Sequence, residues 1–212
     1  SRNGGLALKA AADRAGVLCY AELSSVNPVF LLPGGLAERG EALAQEFFAS
    51  CTMGSGQFCT HPGVVIVPQG DAGDAFVAAA CAHIAAAGSS VLFSQGVLDH
   101  LRQGLSVLRE AGARVLAEGH AAEAAGYRQA PTLLSVDAAT FLANPRALQT
   151  EVFGPVSLLV RASGSEDAGS TPRPRSVRPV TASPPFNATK GCGASTLRAS
   201  ARSPTPQAVL EA

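Results

Sequence analysis

One cysteine of this chain lies in a setting that suits covalent chemistry. Cys59 falls in the glycine-rich polar stretch GSGQFCTHPG, between a predicted helix and a predicted strand. A thiolate adds to carbonyl carbons, and nearby backbone N–H groups lower the pKa of the thiol. Gly54, Gly56 and Gly63 would let the backbone bend tightly around the sulfur. Composition alone favours a buried structural cysteine, because free cysteine is among the most buried residue types.

Two further residues could work with such a thiolate. Glu22 ends the apolar run VLCYAEL and could act as a general base towards water, although most glutamates are simply solvated. His61, two residues after Cys59, could form the Cys/His dyad of a hydrolase. Side chains two positions apart on a loop rarely face one another, so the dyad is the weaker hypothesis.

The other cysteines and histidines indicate neither a disulfide framework nor a metal site. Five cysteines are an odd number, their spacing is irregular, and no CxxC pair occurs. The histidines beyond His61 are dispersed along the chain, unlike metal ligands. The cysteines interpreted as separate structural thiols are Cys19, Cys51, Cys81 and Cys192.

The overall composition is that of a globular protein. The 212 residues are 47% hydrophobic and 15% charged, which is enough for one substantial core. A formal net charge of zero argues against partners such as nucleic acid or an acidic membrane surface. No apolar run reaches the length of a membrane span, and no secretory signal pattern opens the chain. A cytoplasmic location is expected.

The elements that must position these residues alternate between helix and strand. Helical periodicity predicts helices at residues 5–15, 36–50, 74–87 and 97–111. Short apolar, β-prone runs predict strands at residues 17–23, 29–32, 64–67, 114–117, 132–136 and 156–160. Glu22 would then end a strand, and Cys59 would lie in the loop of residues 52–63. The order predicts an α/β fold, an open sheet flanked by helices.

The character of the chain changes at residue 162. Residues 162–212 hold half of the 14 prolines, many serines and threonines, and no sustained periodicity. Such a segment buries too little apolar surface to offset the entropy of ordering it. We expect it to be a disordered tail.

Three segments resemble the aldehyde dehydrogenase superfamily, and they occur in that family's order. They are AELSSVNP around Glu22, GSGQFCTHPG around Cys59 and TEVFGPV around Glu151. The form ELSSxNP, followed by VFLLPG, is most similar to the bacterial ketoglutarate semialdehyde (2,5-dioxovalerate) dehydrogenase branch. The resemblance covers residues 1–161, implies the aldehyde dehydrogenase catalytic-domain fold there, and favours the nucleophile interpretation of Cys59.

This resemblance implies oxidation of an aldehyde to a carboxylic acid with NAD or NADP. Cys59 would form a thiohemiacetal, its N–H would be half of the oxyanion hole, and Glu22 would activate the water that hydrolyses the thioester. Glu151 would bind the nicotinamide ribose hydroxyls, and Phe153 would pack beside the nicotinamide. Ser1 would meet the cofactor pyrophosphate at a helix N-terminus. A surface glutamate and a core phenylalanine are the competing interpretations of Glu151 and Phe153.

The resemblance also divides the chain and implies that it is a fragment. Residues 1–25 would be the end of the dinucleotide-binding domain, residues 26–161 the catalytic domain with the thiol nucleophile, and residues 162–212 the tail. The family's amino-terminal half, which supplies an asparagine to the oxyanion hole, has no counterpart here. Such a donor contributes roughly 3–4 kcal/mol to transition-state stabilisation, so impaired oxidation is expected.

Three functions therefore compete. The first is a semialdehyde-oxidising enzyme that acts on a small-molecule aldehyde. The second is a catalytically silent remnant that serves as a binding or oligomerisation module, and the third is a cofactor-independent thiol esterase using Cys59. The sequence leaves homo-oligomerisation open.

Overall fold

The computed structural model describes residues 2–122 and 124–163. Ser1, Cys192 and nearly all of the predicted tail lie outside the described residues. The helices are α1 (Arg2–Ala15), α2 (Pro33–Thr52), α3 (Asp71–Ala85), α4 (Gln95–Glu110), α5 (Ala138–Ala143) and α6 (Pro145–Leu148). The strands are β1 (Pro28–Phe30), β2 (Val64–Pro68), β3 (Ser90–Val91), β4 (Arg114–Glu118), β5 (Arg128–Gln129), β6 (Thr132–Asp137) and β7 (Val156–Ala162).

Five of these strands form one sheet in the order β1-β2-β7-β6-β4. The first four are parallel, and β4 runs antiparallel to β6 at one edge. Strands β3 and β5 form a separate antiparallel pair. The α/β fold predicted from the sequence, an open sheet flanked by helices, is confirmed.

The central strands are predominantly apolar because helices cover both faces of the sheet. In β2, Val64 and Ile66 point into a core shared with α4, α5 and α6, while Val65 and Val67 point into a core shared with α2 and α3. Successive side chains of a strand alternate between faces, so a continuous apolar run is what a doubly covered parallel strand requires. The two cores hold the ends of β2 and β7 in place.

The predicted main helices are confirmed, with ends shifted by a few residues. Helix α2 begins at Pro33, where proline has its preferred first-turn position. Helix α4 begins after Ser94, whose hydroxyl accepts the Val97 N–H. Among the described residues, no helix combines the length and apolar character needed to cross a membrane.

The strand predicted at residues 17–23 is wrong. These residues have no regular secondary structure, and Val17, Leu18 and Tyr20 are 60%, 77% and 94% exposed. A strand of this apolar composition needs neighbouring strands and a covered face, and the described residues provide neither. Glu22 therefore lies in an exposed irregular segment rather than at a strand end.

Candidate active site

The loop that carries Cys59 begins with three residues in the left-handed region. After α2 ends, Gly54, Ser55 and Gly56 have φ angles of 55°, 61° and 68°. Glycine adopts this conformation freely, whereas a residue with a Cβ pays roughly 1–2 kcal/mol. The chain thereby reverses direction within a few residues and presents Cys59 in the turn that follows.

Polar contacts hold the start of this loop against the segment before α4. The Ser55 hydroxyl donates to the Val91 carbonyl at 2.9 Å. The Gln57 carboxamide oxygen accepts the Phe93 N–H at 2.8 Å, and its nitrogen donates to the Gly54 carbonyl at 3.1 Å. The loop is therefore fixed to the body of the domain before it reaches Cys59.

The environment of Cys59 differs from that of the other thiols. Cys59 is exposed at the turn, whereas Cys51 is buried and its Sγ lies 3.1 Å from the Ser157 hydroxyl. Burial raises the pKa of Cys51 to about 12, and it also raises the pKa of Cys81. Thiols with raised pKa values are poor nucleophiles at neutral pH. Among the four cysteines in the described part of the chain, Cys59 is the one that is exposed, and Cys19 and Cys81 are of intermediate exposure.

Glu22 is exposed and lies just before the segment that contacts the Cys59 loop. The Ser25 hydroxyl donates to the Cys59 carbonyl at 3.1 Å, and the Asn27 carboxamide donates to the same carbonyl at 2.6 Å. The candidate base thus belongs to a segment bound directly to the candidate nucleophile's backbone. The sequence analysis predicted neither contact, because hydrogen bonds between residues more than 30 positions apart leave no signal in a local motif.

His61 is buried, and the hydrogen-bond partners of its ring within the described residues do not include the Cys59 thiol. Its Nε2 lies 2.7 Å from the Val156 carbonyl oxygen and 3.4 Å from the Ser157 hydroxyl. The side chain is 9% exposed. A histidine bonded to the backbone of β7 serves as an anchor for the loop, so the geometry argues against the Cys/His dyad.

Burial of His61 makes the stability of the domain sensitive to acid. Desolvation lowers the pKa of His61 from its ordinary 6.5, although backbone hydrogen bonds with Val156 and Cys51 oppose this. The stability contributed by the neutral ring is therefore fully present above pH 6.5 and is lost as the pH falls towards the folded-state pKa. We expect the free energy of unfolding, measured in urea, to decrease below pH 6.5.

That decrease should be smaller in His61→Asn, because asparagine at position 61 does not titrate. His100→Asn is the matched control, because it removes a histidine that is exposed on α4 in place of the buried one. An identical decrease in the wild type and His61→Asn would contradict the assignment.

The third predicted segment, around Glu151, packs directly against the loop. Gly56 is buried, and a Cβ at that position would overlap the carbonyl carbon and oxygen of Gly154. Only glycine permits two backbones to approach so closely. The separate motifs at residues 54–63 and 150–156 therefore meet in space.

Glu151 and Phe153 line one cleft together with Ser25, Phe58 and His61. Phe153 is 39% exposed there, which argues against its interpretation as a core phenylalanine. Glu151 is half-buried; desolvation raises the pKa of its carboxyl, and a hydrogen bond from the Ser25 N–H partly opposes the rise. Ser1, the third predicted cofactor contact, is outside the described residues.

Comparison with known proteins places the chain in a family. The aldehyde dehydrogenase family profile matches residues 1–170. The chain is 43% identical over 164 residues to alpha-ketoglutaric semialdehyde dehydrogenase 2 of Azospirillum brasilense, covering 76% of this chain and 31% of that protein. It is 41% identical over 142 residues to alpha-ketoglutaric semialdehyde dehydrogenase of Acinetobacter baylyi, covering 66% of this chain and 27% of that protein.

Solved structures show the same fold at low sequence identity. An aldehyde dehydrogenase from Bacillus cereus, in complex with NAD+, superposes with a TM-score of 0.65 at 20% identity, covering 79% of this chain and 35% of that one. Betaine aldehyde dehydrogenase from Staphylococcus aureus gives 0.66 at 18% identity, covering 79% and 34%. The chain spans about a third of the length of these relatives. With most of its residues matched by the family profile, the chain belongs to the aldehyde dehydrogenase family.

Proposed function

We propose that this chain is the thiol-bearing part of an NAD(P)-dependent aldehyde dehydrogenase that oxidises a semialdehyde to a carboxylic acid. The observation that carries the proposal is the exposed Cys59, whose carbonyl is hydrogen-bonded to the segment that carries Glu22. The substrate class, an acidic semialdehyde, is inferred from the alpha-ketoglutaric semialdehyde dehydrogenases to which the chain is similar. Residues 1–25 would end the dinucleotide-binding domain, and residues 26–161 would form the catalytic domain.

Cys59 and Glu22 divide the chemistry between them. The Cys59 thiolate forms a bond to the aldehyde carbon, and the carbonyl oxygen takes the negative charge, which the Cys59 N–H stabilises. Glu22 later removes a proton from water as that water attacks the thioester, which releases the carboxylic acid and regenerates the thiolate. Both groups must reach the same acyl carbon, so their segments have to lie together.

The cleft residues fit the nicotinamide end of NAD or NADP. Phe153 offers an exposed aromatic face, and the half-buried Glu151 offers a carboxylate that can accept hydrogen bonds from ribose hydroxyls. The bound cofactor would supply the hydride acceptor. Since the 212 residues span about a third of the relatives' length, we expect them to oxidise aldehydes slowly when assayed alone.

The proposal is tested by mixing the chain with alpha-ketoglutaric semialdehyde and NAD+ or NADP+. Slow formation of reduced cofactor, together with a substrate adduct on Cys59 detected by peptide mass spectrometry, is the expected result. p-Nitrophenyl acetate serves as a cofactor-independent acyl donor, since attack by the thiolate expels p-nitrophenolate and leaves an acetyl thioester. A chain that forms neither the adduct nor the acetyl thioester on Cys59 would exclude the enzymatic proposal and leave a silent binding module.

Glu22→Gln should separate the two half-reactions, which are acylation of Cys59 and hydrolysis of the resulting thioester. The glutamine cannot accept the proton of water, so hydrolysis of the acetyl thioester should slow by roughly 100-fold or more, the usual contribution of a general base. Acylation of Cys59, seen as the initial burst of p-nitrophenolate, should persist. Glu38→Gln is the matched control because Glu38 is an exposed glutamate of α2. Hydrolysis at the wild-type rate in Glu22→Gln would remove Glu22 from the mechanism.

A further inference from the structure

Three hydrogen bonds join the segment after Glu22 to the loop of Cys59. The Asn27 carboxamide donates to the Cys59 carbonyl at 2.6 Å and to the His61 carbonyl at 2.9 Å. The Ser25 hydroxyl donates to the Cys59 carbonyl at 3.1 Å. We propose that Asn27, assisted by Ser25, is a positioning residue that sets the Cys59 thiol in register with Glu22, an inference that rests on the function proposed above.

The carboxamide nitrogen of Asn27 and the carbonyl oxygen of Cys59 each use their full hydrogen-bonding capacity. A carboxamide nitrogen carries two protons, and Asn27 directs one to each of two carbonyls in the same turn. The Cys59 carbonyl has two lone pairs and receives one donor from each of Asn27 and Ser25. This arrangement fixes the peptide plane that follows the nucleophile, and therefore restricts the position of the Cys59 backbone.

Asn27 and, before it, Ser25 are the residues after Glu22 that bind the rest of the domain. The segment from residue 17 to residue 27 has no regular secondary structure, and β1 begins at Pro28. The Asn27 carbonyl accepts the Val64 N–H at the start of β2, so its backbone is bound to the sheet while its side chain binds the loop. Asn27 is thus the residue of this segment that joins the sheet, through its backbone, to the Cys59 loop, through its side chain.

The opposite side of the loop is held independently. His61 Nε2 lies 2.7 Å from the Val156 carbonyl, and the Ser157 hydroxyl donates to the Pro62 carbonyl at 2.8 Å. Loss of the Asn27 side chain would therefore leave the Ser25 hydroxyl as the remaining hydrogen bond between the Glu22 segment and the Cys59 turn, without detaching the loop from β7. The expected defect lies in the alignment of the two groups and not in the folding of the domain.

The two half-reactions respond differently to such a defect. Acylation needs the thiolate and the N–H of Cys59 but not Glu22, whereas hydrolysis of the thioester also needs Glu22 and the acyl carbon in one geometry. A small misplacement of these groups costs up to roughly 100-fold in rate. In Asn27→Ala we expect thioester hydrolysis to slow by roughly 10-fold or more, with acetyl-Cys59 accumulating and the burst with p-nitrophenyl acetate nearly unchanged. Asn27→Asp keeps the shape of the side chain but lacks the N–H donors, so it should show the same slow hydrolysis as Asn27→Ala.

A double-mutant cycle with Glu22→Gln distinguishes positioning from general destabilisation. If Asn27 acts through Glu22, adding Asn27→Ala to Glu22→Gln should slow hydrolysis little further. Ser25→Ala removes the hydroxyl and should slow hydrolysis, whereas Ser25→Thr keeps the hydroxyl and should restore the rate. Ser106→Ala, which replaces an exposed serine of α4, is the control for loss of a hydroxyl as such. Fully additive effects, or wild-type hydrolysis in Asn27→Ala, would overturn the proposal.

Amide hydrogen exchange keeps this test separate from that of the function. In Asn27→Ala the amides of residues 58–61 should exchange faster, while those of β2 and β7 stay protected as in the wild type. If the wild type forms no acetyl thioester, the proposed function fails and the exchange result alone judges the contacts. Unchanged exchange at residues 58–61 would show that Asn27 does not hold the loop and would overturn the positioning role.

Discussion

Replacing Cys59 with alanine is expected to abolish covalent chemistry while leaving the fold intact. The side chain is exposed at a turn and contributes little to either core, so the free energy of unfolding should change by less than about 0.5 kcal/mol. Loss of the nucleophile should lower turnover of p-nitrophenyl acetate by roughly 1,000-fold or more, since removing a catalytic nucleophile has effects of at least this size. The burst of p-nitrophenolate and any aldehyde-dependent cofactor reduction should vanish together.

Cys81→Ala provides the matched control. Cys81 lies on α3 beside the core shared with α2, and burial raises the pKa of its thiol. Its replacement should leave acylation unchanged, and iodoacetamide should label Cys59 before Cys81 in the wild type. Persistence of acylation in Cys59→Ala would assign the chemistry to another thiol and contradict the proposed site.

Replacing Gly56 with alanine is expected to destabilise the domain strongly. A Cβ there would overlap the Gly154 carbonyl, and the residue has a φ angle of 68°, which favours glycine. The close approach and the backbone conformation together should lower the free energy of unfolding by about 3 kcal/mol, measured by urea denaturation. The loop of Cys59 and the segment of Phe153 would move apart, so acylation by p-nitrophenyl acetate should also decrease.

Gly34→Ala is the control for glycine replacement as such. Gly34 lies in the first turn of α2 with no atom near the position of a Cβ, so its replacement should change stability by no more than about 1 kcal/mol. Equal stabilities for Gly56→Ala and Gly34→Ala would show that the contact with Gly154 does not restrict position 56.

Most of the fold could be predicted because the signals are local. Continuous apolar runs such as residues 64–67 predict buried strands, and the 3.6-residue period of residues 97–111 predicts a helix; both are confirmed. The run at residues 17–23 carries the same signal and forms no strand, because a strand needs partners that its own residues do not specify. Strands β3 and β5, two residues each, are too short to carry any periodicity.

The amino-acid sequence by itself determined which chemical groups are present: a cysteine in a glycine-rich turn, a preceding glutamate, and the motif around Glu151. Only the tertiary structure decided that Cys59 is exposed while His61 is buried, that Gly56 meets Gly154, and that Asn27 binds the Cys59 carbonyl. A motif is a local property of the chain. Burial, close backbone approach and hydrogen bonds join residues 32 to 98 positions apart, and they arise only when the sheet brings together the loops that precede its parallel strands.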